Sequence, residues 1–264
     1  MISIKTKEEI EIMREGGRIL AEILKELAEE VKPGITTWSL EEKARELIKE
    51  AGLVEGSRAK PGIAVAEPAF LGFNGYPAVL CVSINEEVVH SLPSERKIML
   101  GDLVSLDLGL KYKGFNVDSA ITVIAGQEFD SEYDLKQKLI RITKECLDKG
   151  IEMARVGNSI GDISSVIQKH AEKNNLSVIR DLVGHGIGRE LHEDPEIPNF
   201  GRSGTGPRLI EGMVIAIEPM LSAGSYQVIE DKKTFAWKTK DGSLSAHFEH
   251  TVAITKKGSL VLTE

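Results

Sequence analysis

The chain contains few cysteines and no concentration of positive charge. Only two of its 264 residues are cysteine, Cys81 and Cys146, and their spacing fits neither a disulfide framework nor a cysteine-ligated zinc site. Acidic residues outnumber lysine and arginine by 41 to 33, and no more than two basic residues stand together. This charge pattern argues against direct binding to nucleic acid.

Long apolar segments are also absent from the sequence. No stretch approaches the roughly 18 apolar residues of a membrane-spanning helix. The N-terminal residues carry charges every few positions, without the apolar stretch of a signal peptide. We therefore expect a cytoplasmic protein with no membrane association. A hydrophobic fraction of 41% is enough for a large core, in one domain or in two fused halves.

Four helices are predicted. In the first, Thr6 and Glu9 form a capping-box pattern, apolar residues then recur every three or four positions, and Lys32-Pro33-Gly34 ends the helix. The others are predicted from Ser39 and Glu42 to about Gly52, over 132–153, and from the region of Gly157 and Asp162 to Asn174-Asn175.

Strands are predicted over 78–84, 103–108, 115–124 and 244–254, with a turn at Lys113-Gly114 between the second and third. With those two residues in the turn, Asp107 faces Ala120 and Gly109 faces Asp118. Asp107 and Asp118 then lie on one face of the hairpin as diagonal neighbours, about 7–8 Å apart. A loop of the other parity would place them on opposite faces.

The two halves of the sequence share a pattern. Asp107 follows Gly101 by six residues, and Glu218 follows Gly212 by the same distance, each within an apolar segment. A second likeness relates PGITTWSLEEKA (33–44) to VGNSIGDISSVI (156–167), in which Gly34 matches Gly157. These likenesses predict two α/β halves of common plan, whose carboxylates meet at a pseudo-symmetric interface.

Five potential metal ligands lie in apolar, strand-like surroundings: Asp107, Asp118, His185, Glu218 and Glu249. A charge buried alone costs several kcal/mol. Four carboxylates facing one interior would repel one another unless a counter-charge joined them, and a pair of divalent cations provides it. The pattern therefore favours a two-metal hydrolase, although a pair of structural aspartates is the alternative for Asp107 and Asp118.

Neighbouring histidines differ in what they can contribute. Alternation along 244–254 places Glu249 and His247 on one face and His250 on the other, so we interpret His250 as structural and His247 as a candidate for the outer shell. His185 stands between two glycines, which permit close approach to a ligand. Oxygen ligands with one imidazole suit Mn, Fe, Co or Zn.

Several motifs together resemble the type I methionine aminopeptidases, over nearly the whole chain. They are FNGYPAVLCVSINEEVVHSLP (73–93), SLDLG (105–109), GFNVDSA (114–120), GHGIGRELHEDPEIPNF (184–200), AIEPM (216–220) and LSAHFEHTVAIT (244–255). The resemblance implies one catalytic domain over 1–264 with an α/β (α+β) pita-bread fold. In that fold, two pseudo-symmetric halves form a central antiparallel sheet with outer helices.

The resemblance also implies roles for individual residues. Two divalent metal ions (Co, Mn, Fe or Zn) would be held by Asp107 on one side and by His185 and Glu218 on the other, with Asp118 and Glu249 bridging. His90 and His192 match the histidines that contact the substrate near the scissile nitrogen and carbonyl. Glu218 also matches the proposed general base.

The methionine pocket departs from the family pattern in part. Tyr76 and Cys81 match it, whereas Phe70 and Phe73 stand where cysteine and tyrosine are common, and Phe235 stands near an expected tryptophan. The pocket remains apolar and aromatic, which suits a thioether. Ordinary core packing is the alternative for Phe70 and Phe73.

The expected reaction is removal of the initiator methionine from N-termini of nascent polypeptides, with preference for a small uncharged second residue. We expect a monomer that binds neither nucleic acid nor membrane, and contact with the ribosome is left open. The alternatives are an Xaa-Pro peptidase and a non-catalytic binding module on the same fold. The first usually carries an additional N-terminal domain, and the second loses ligands that this chain keeps.

Overall fold

The structure is a computed structural model that describes residues 2–52, 66–126 and 131–264. Its helices are α1 Lys7–Glu30, α2 Thr37–Gly52, α3 Tyr133–Met153 and α4 Ile160–Lys173, with a short 3-10 helix at Phe73–Gly75. The described strands are β1 Ala66–Pro68, β2 Leu80–Ile84, β3 Glu87–Val89, β4 Leu103–Tyr112, β5 Phe115–Ile124, β6 Ser177–Val178, β7 Val183–Gly186, β8 Glu193–Pro198, β9 Val214–Ile217, β10 Met220–Ser222, β11 Val228–Glu230, β12 Trp237–Thr239, β13 Ser245–His247, β14 Glu249–Thr255 and β15 Gly258–Val261.

Side-chain caps define where the helices begin. The predicted capping box of α1 is confirmed, since the Glu9 amide donates to Thr6 Oγ1 at 3.2 Å and the Thr6 amide donates to Glu9 Oε2 at 2.8 Å. The predicted start of α2 at Ser39 is wrong by two residues. The Ser39 amide instead donates to Thr36 Oγ1 at 3.1 Å, and the helix begins at Thr37.

A nine-stranded sheet forms the centre of the molecule. Its path runs β1-β4-β5-β14-β9-β7-β8, with β2 added beside β4 and β15 beside β14, and its paired strands are antiparallel. The two long strands β4 and β5 follow the predicted register, with Asp107 opposite Ala120 and Gly109 opposite Asp118. The turn at Lys113-Gly114 therefore fixed both aspartates on one face, as predicted.

The predicted strand 244–254 is wrong as a single element. The chain leaves the regular ladder at Phe248, so that β13 and β14 are separate strands. β13 pairs with β10 in a small second sheet, whereas β14 joins β5 and β9 in the main sheet. Strand 103–108 was predicted too short, since β4 continues to Tyr112, and strand 78–84 begins only at Leu80.

Matching backbone hydrogen bonds confirm the repeat. Gly101 donates to Ala125 O and Gly212 to Ile254 O, both at 2.9 Å. The pair Gly34 and Gly157 donates in the same way to Ile98 O at 2.8 Å and Leu209 O at 3.1 Å. All four glycines have positive φ, between 83° and 96°, which only glycine adopts without strain. The common plan thus rests on equivalent turns in the two halves.

The helices cover one face of the sheet. Even-numbered β4 residues such as Leu106 and Leu108 join the core cluster beneath α1 and α2, and a second cluster lies beneath α3 and α4. Odd-numbered residues face the other way, where a side chain at Gly109 would collide with the Phe70 ring. This second face carries the polar residues. None of the described helices combines the length and hydropathy needed to cross a membrane.

Candidate metal centre and substrate cavity

A cavity of about 500 Å³ opens on the polar face of the sheet. All five predicted metal ligands line it: Asp107 on β4, Asp118 on β5, His185 on β7, Glu218 directly after β9, and Glu249 at the start of β14. They come from both halves of the repeat. The antiparallel pairing of β5 with β14 brings Ala120 opposite Glu249, and this pairing joins the two halves at the site.

The ligand atoms lie close together. One donor atom from each of Asp118, His185 and Glu249 falls within 4.8 Å of the others. His185 Nε2 is 3.5 Å from Glu218 Oε1. His185 Nδ1 lies 2.9 Å from the Gly186 carbonyl oxygen, which can only accept, so Nδ1 carries the hydrogen and Nε2 presents a lone pair to the cavity.

Burial makes the carboxylate cluster costly without a cation. Burial raises the pKa of Asp118 to about 7. It also raises the pKa values of Asp107, Glu218 and Glu249 well above their ordinary range, and repulsion between neighbouring carboxylates raises these three pKa values further. Asp107 Oδ1, Asp118 Oδ1 and Glu249 Oε1 are buried without a hydrogen-bond partner. Among the described residues that line the cavity, none is lysine or arginine. Orphaned oxygens beside an imidazole lone pair fit divalent metal ions.

Two further histidines face the same cavity. The His192 ring lies 4.0 Å from the His185 ring and 4.9 Å from the Phe73 ring, measured between centroids. His90 is open to the cavity but surrounded by protein, and this desolvation, with a smaller contribution from His192, lowers its pKa to about 4. Burial also lowers the pKa of His192. Both rings are therefore neutral near pH 7, and each offers one hydrogen-bond donor and one acceptor.

The predicted pocket residues all line the cavity: Phe70, Phe73, Tyr76, Cys81 and Phe235. The rings of Tyr76 and Phe235 meet edge to face, with centroids 5.5 Å apart. The Tyr76 hydroxyl lies 3.0 Å from Leu80 O and 3.2 Å from Ser91 O, so backbone carbonyls hold the ring in place. Trp237 lines the cavity as well. The result is an apolar, aromatic wall beside the carboxylate cluster.

The two neighbouring histidines of β13 and β14 lie in different surroundings. His250 Nδ1 is 2.9 Å from Thr263 Oγ1, outside the cavity lining, as its predicted orientation requires. His247 is fully buried, with Nε2 3.8 Å from Glu218 Oε2 and 4.0 Å from Glu249 Oε2. Neither of its ring nitrogens has a hydrogen-bond partner. His247 thus lies directly behind two of the carboxylates.

Other cavity residues were not singled out from the sequence: Asn74, Val89, Asp181, Leu182, Val183, Leu191, Met220 and Glu230. They lie on short strands and connecting segments without a regular period. Asn74, Val89, Leu191 and Met220 lie within the motifs quoted above, and this position is the one local signal that could have indicated them. Asp181 and Glu230 are exposed and give the cavity a partly acidic lining.

Comparisons with known proteins find relatives over the whole of this chain. The model of metallopeptidase family M24 matches residues 11–256. Proteins named methionine aminopeptidase from Clostridium perfringens and Aquifex aeolicus are each 47% identical to this chain, over 100% of it and 99% of each relative.

Solved structures of methionine aminopeptidases resemble this chain more than a solved prolidase does. Methionine aminopeptidases from Thermotoga maritima and Rickettsia prowazekii superpose with TM-scores of 0.91 and 0.92, at 44% and 38% identity, over 100% of both chains. A prolidase from Pyrococcus horikoshii is 25% identical, with a TM-score of 0.74. The superposition covers 99% of this chain and 63% of the prolidase chain.

Proposed function

Because this chain belongs to metallopeptidase family M24, we propose that it is a methionine aminopeptidase, which hydrolyses the first peptide bond of polypeptides that begin with methionine. One observation carries the proposal: the carboxylate and histidine cluster and the aromatic wall line a single cavity. Full-length similarity to proteins of that name supports it. The preferred second residue in this proposal is small and uncharged.

The proposal includes two divalent metal ions, Mn, Fe, Co or Zn. Asp107 would bind one ion, His185 and Glu218 the other, and Asp118 and Glu249 both. The unpaired buried oxygens and the Nε2 lone pair of His185 support this assignment. When bound, such ions act as Lewis acids that lower the pKa of a water molecule and hold the free α-amine of the substrate.

The side chains of this protein would carry out the remaining steps. His192 donates a hydrogen bond to the scissile carbonyl oxygen as negative charge develops on it. His90 contacts the scissile nitrogen, and the Glu218 carboxylate accepts the proton of the attacking water and passes it to the leaving amine.

The aromatic wall would bind the methionine side chain. Phe70, Phe73 and Phe235, with Tyr76 and Cys81, offer polarisable surface that favours a thioether. The Tyr76 hydroxyl is occupied by backbone carbonyls, so the ring presents its apolar part. Selection of methionine in this proposal therefore rests on shape and dispersion, without a polar contact to the sulfur.

The prolidase alternative is less well supported. The Pyrococcus horikoshii prolidase superposes with a TM-score of 0.74 at 25% identity, against 0.91 at 44% for the Thermotoga maritima methionine aminopeptidase. A non-catalytic module would not need the orphaned carboxylate oxygens that this chain keeps. The remaining parts of the proposal are one catalytic domain over 1–264, a cytoplasmic monomer, nascent N-termini as substrates and at most a transient contact with the ribosome.

The test is cleavage of synthetic peptides followed by mass spectrometry. Met-Ala-, Met-Leu-, Leu-Ala- and Ala-Pro-led peptides are incubated with chelated protein and with protein reloaded with Co, Mn, Fe or Zn. The proposal expects metal-dependent removal of methionine from the Met-Ala peptide. Cleavage of the Ala-Pro peptide instead would assign an Xaa-Pro peptidase, and no cleavage with any metal would leave a binding module.

A further inference from the structure

His185 and His192 stand at the two ends of one tight loop. β7 ends at Gly186, one residue after His185, and β8 begins at Glu193, one residue after His192. Gly186 and Glu193 are opposite each other in the ladder, where the register shifts. We call β7, β8 and residues 187–192 between them the histidine hairpin. Glu193 follows His192 in the chain, so the position of Glu193 constrains the His192 backbone.

The Glu193 carboxylate is fixed on both oxygens. Oε1 accepts a hydrogen bond from the Glu190 amide at 3.2 Å, within the loop. Oε2 accepts from Lys5 Nζ at 2.6 Å. The side chains of this ion pair are only 3% and 10% exposed. Charge-assisted bonds of this length in a desolvated site are strong, and they hold the carboxylate in one orientation.

Lys5 is itself held in place before α1 begins. Its amide donates to the Gly212 carbonyl at 2.8 Å, in the turn that leads to β9. Its side-chain end packs against Gly188, where a β-carbon would collide with it. The N-terminal segment therefore ties the turn before β9 to the histidine hairpin.

The hairpin also receives neutral contacts from Asn116 on β5. Asn116 Nδ2 donates to Gly188 O and Arg189 O, both at 3.0 Å. Removing Lys5 would leave these contacts intact. It would also leave the Glu193 carboxylate buried without a counter-charge, and the carboxylate would move toward water and displace His192 with it.

We propose that the Lys5–Glu193 ion pair is a positioning device for His192, which keeps its ring against His185 and aimed into the cavity. The inference rests on the proposed role of His192 in the reaction. Lys5 touches neither substrate nor metal in this scheme and acts only through Glu193. Loss of the pair should lower kcat, because the hydrogen bond from His192 matters most in the transition state, and should leave the bound metal in place.

The experiment compares Lys5→Met, Glu193→Gln and the double variant with wild type, all metal-loaded. Lys7→Met is the matched control, since Lys7 is exposed on α1 two residues away. For the Met-Ala peptide we expect each single variant to lose about 10- to 100-fold in kcat, the range found for outer-shell partners. In these variants KM and metal content should change little, and Lys7→Met should have the kcat of wild type. The double variant should lose no more than the worse single variant, because both remove the same pair.

A second measurement does not depend on turnover. In protein labelled with ¹⁵N-histidine, the His192 ring resonances are assigned by comparison with His192→Ala. They should shift or broaden in Lys5→Met and in Glu193→Gln, while those of His170, on α4, should not. If Lys5→Met fails to fold, the isosteric Glu193→Gln carries both measurements. Unchanged kcat and unchanged His192 resonances would overturn the inference, as would fully additive losses in the double variant. A wild-type protein without peptidase activity would refute the proposed function, and the resonances would still report on the ion pair.

Discussion

Replacing Asp118 with asparagine should stabilise the metal-free protein at neutral and alkaline pH. The side chain is 4% exposed, and one of its oxygens has no hydrogen-bond partner. Burial raises its pKa from the ordinary value of 3.8 to about 7. Asparagine keeps the shape of the side chain but never ionises, so it removes the free-energy cost of a buried negative charge.

The direction of the pH dependence follows from proton linkage. Between pH 4 and pH 7 the folded protein holds a proton on Asp118 that the unfolded chain has released, so the contribution of Asp118 to stability falls as the pH rises through this interval. A rise in pKa from 3.8 to about 7 corresponds to about 4 kcal/mol once the pH exceeds the folded value. The raised pKa values of Asp107, Glu218 and Glu249 act in the same direction. The lowered pKa values of the buried histidines act in the opposite direction, so the comparison with the asparagine variant is what isolates Asp118.

Urea unfolding of chelated, dialysed protein between pH 4 and pH 8.5 measures the effect. We expect Asp118→Asn to unfold at a higher free energy than wild type above pH 7, by up to about 4 kcal/mol, and the two curves to converge near pH 4. Asp148→Asn, exposed on α3, serves as the control and should follow wild type. Parallel curves for Asp118→Asn and wild type would refute the reasoning.

Three further predictions concern the reaction. Asp107→Ala and Glu249→Ala should each remove bound metal and lower turnover by more than the roughly 100-fold typical of outer-shell partners. Metal analysis and peptide assays on the same samples test this, and unchanged activity in either variant would contradict the site. His192→Ala should lower kcat by about 100- to 1,000-fold with metal content near normal, and loss of metal would make His192 a ligand instead. Phe235→Ala should lower kcat/KM for Met-Ala peptides by about tenfold, through about 1–3 kcal/mol of lost side-chain contact; unaltered kinetics would place Phe235 outside the pocket.

The hairpin and the repeat illustrate what local patterns can predict. The register of β4 and β5 follows from a two-residue turn, because the side-chain period of a strand is two and the turn fixes its phase. The turns of the repeat require positive φ, which glycine adopts without strain. The matching glycine positions in the two halves therefore predict equivalent turns, and the matching backbone hydrogen bonds confirm them. Both signals are short in range, and both were correct.

The break at Phe248 shows where such reasoning stops. Alternation alone indicates a continuous strand over 244–254, yet β13 leaves the main sheet because β10 supplies its pairing partner. The start of α2 was misplaced for a similar reason, since Thr36 and Ser39 are both good caps and the local sequence does not choose between them. In both cases a segment distant in sequence contributes: β10 pairs with β13, and the Thr37 amide donates to Arg96 O at 3.0 Å.

The sequence by itself predicted which residue types would serve as metal ligands. It also determined the common plan of the two halves and the face on which Asp107 and Asp118 lie. Only the tertiary structure decided that His247 lies behind Glu218 and Glu249, and that Asp181 and Glu230 line the cavity. It alone brought Lys5 within 2.6 Å of Glu193, across 188 positions of the chain. The physical reason is range: periodicity and turn chemistry act over a few residues. Contacts between distant segments depend on how the whole sheet closes, and no local pattern encodes that closure.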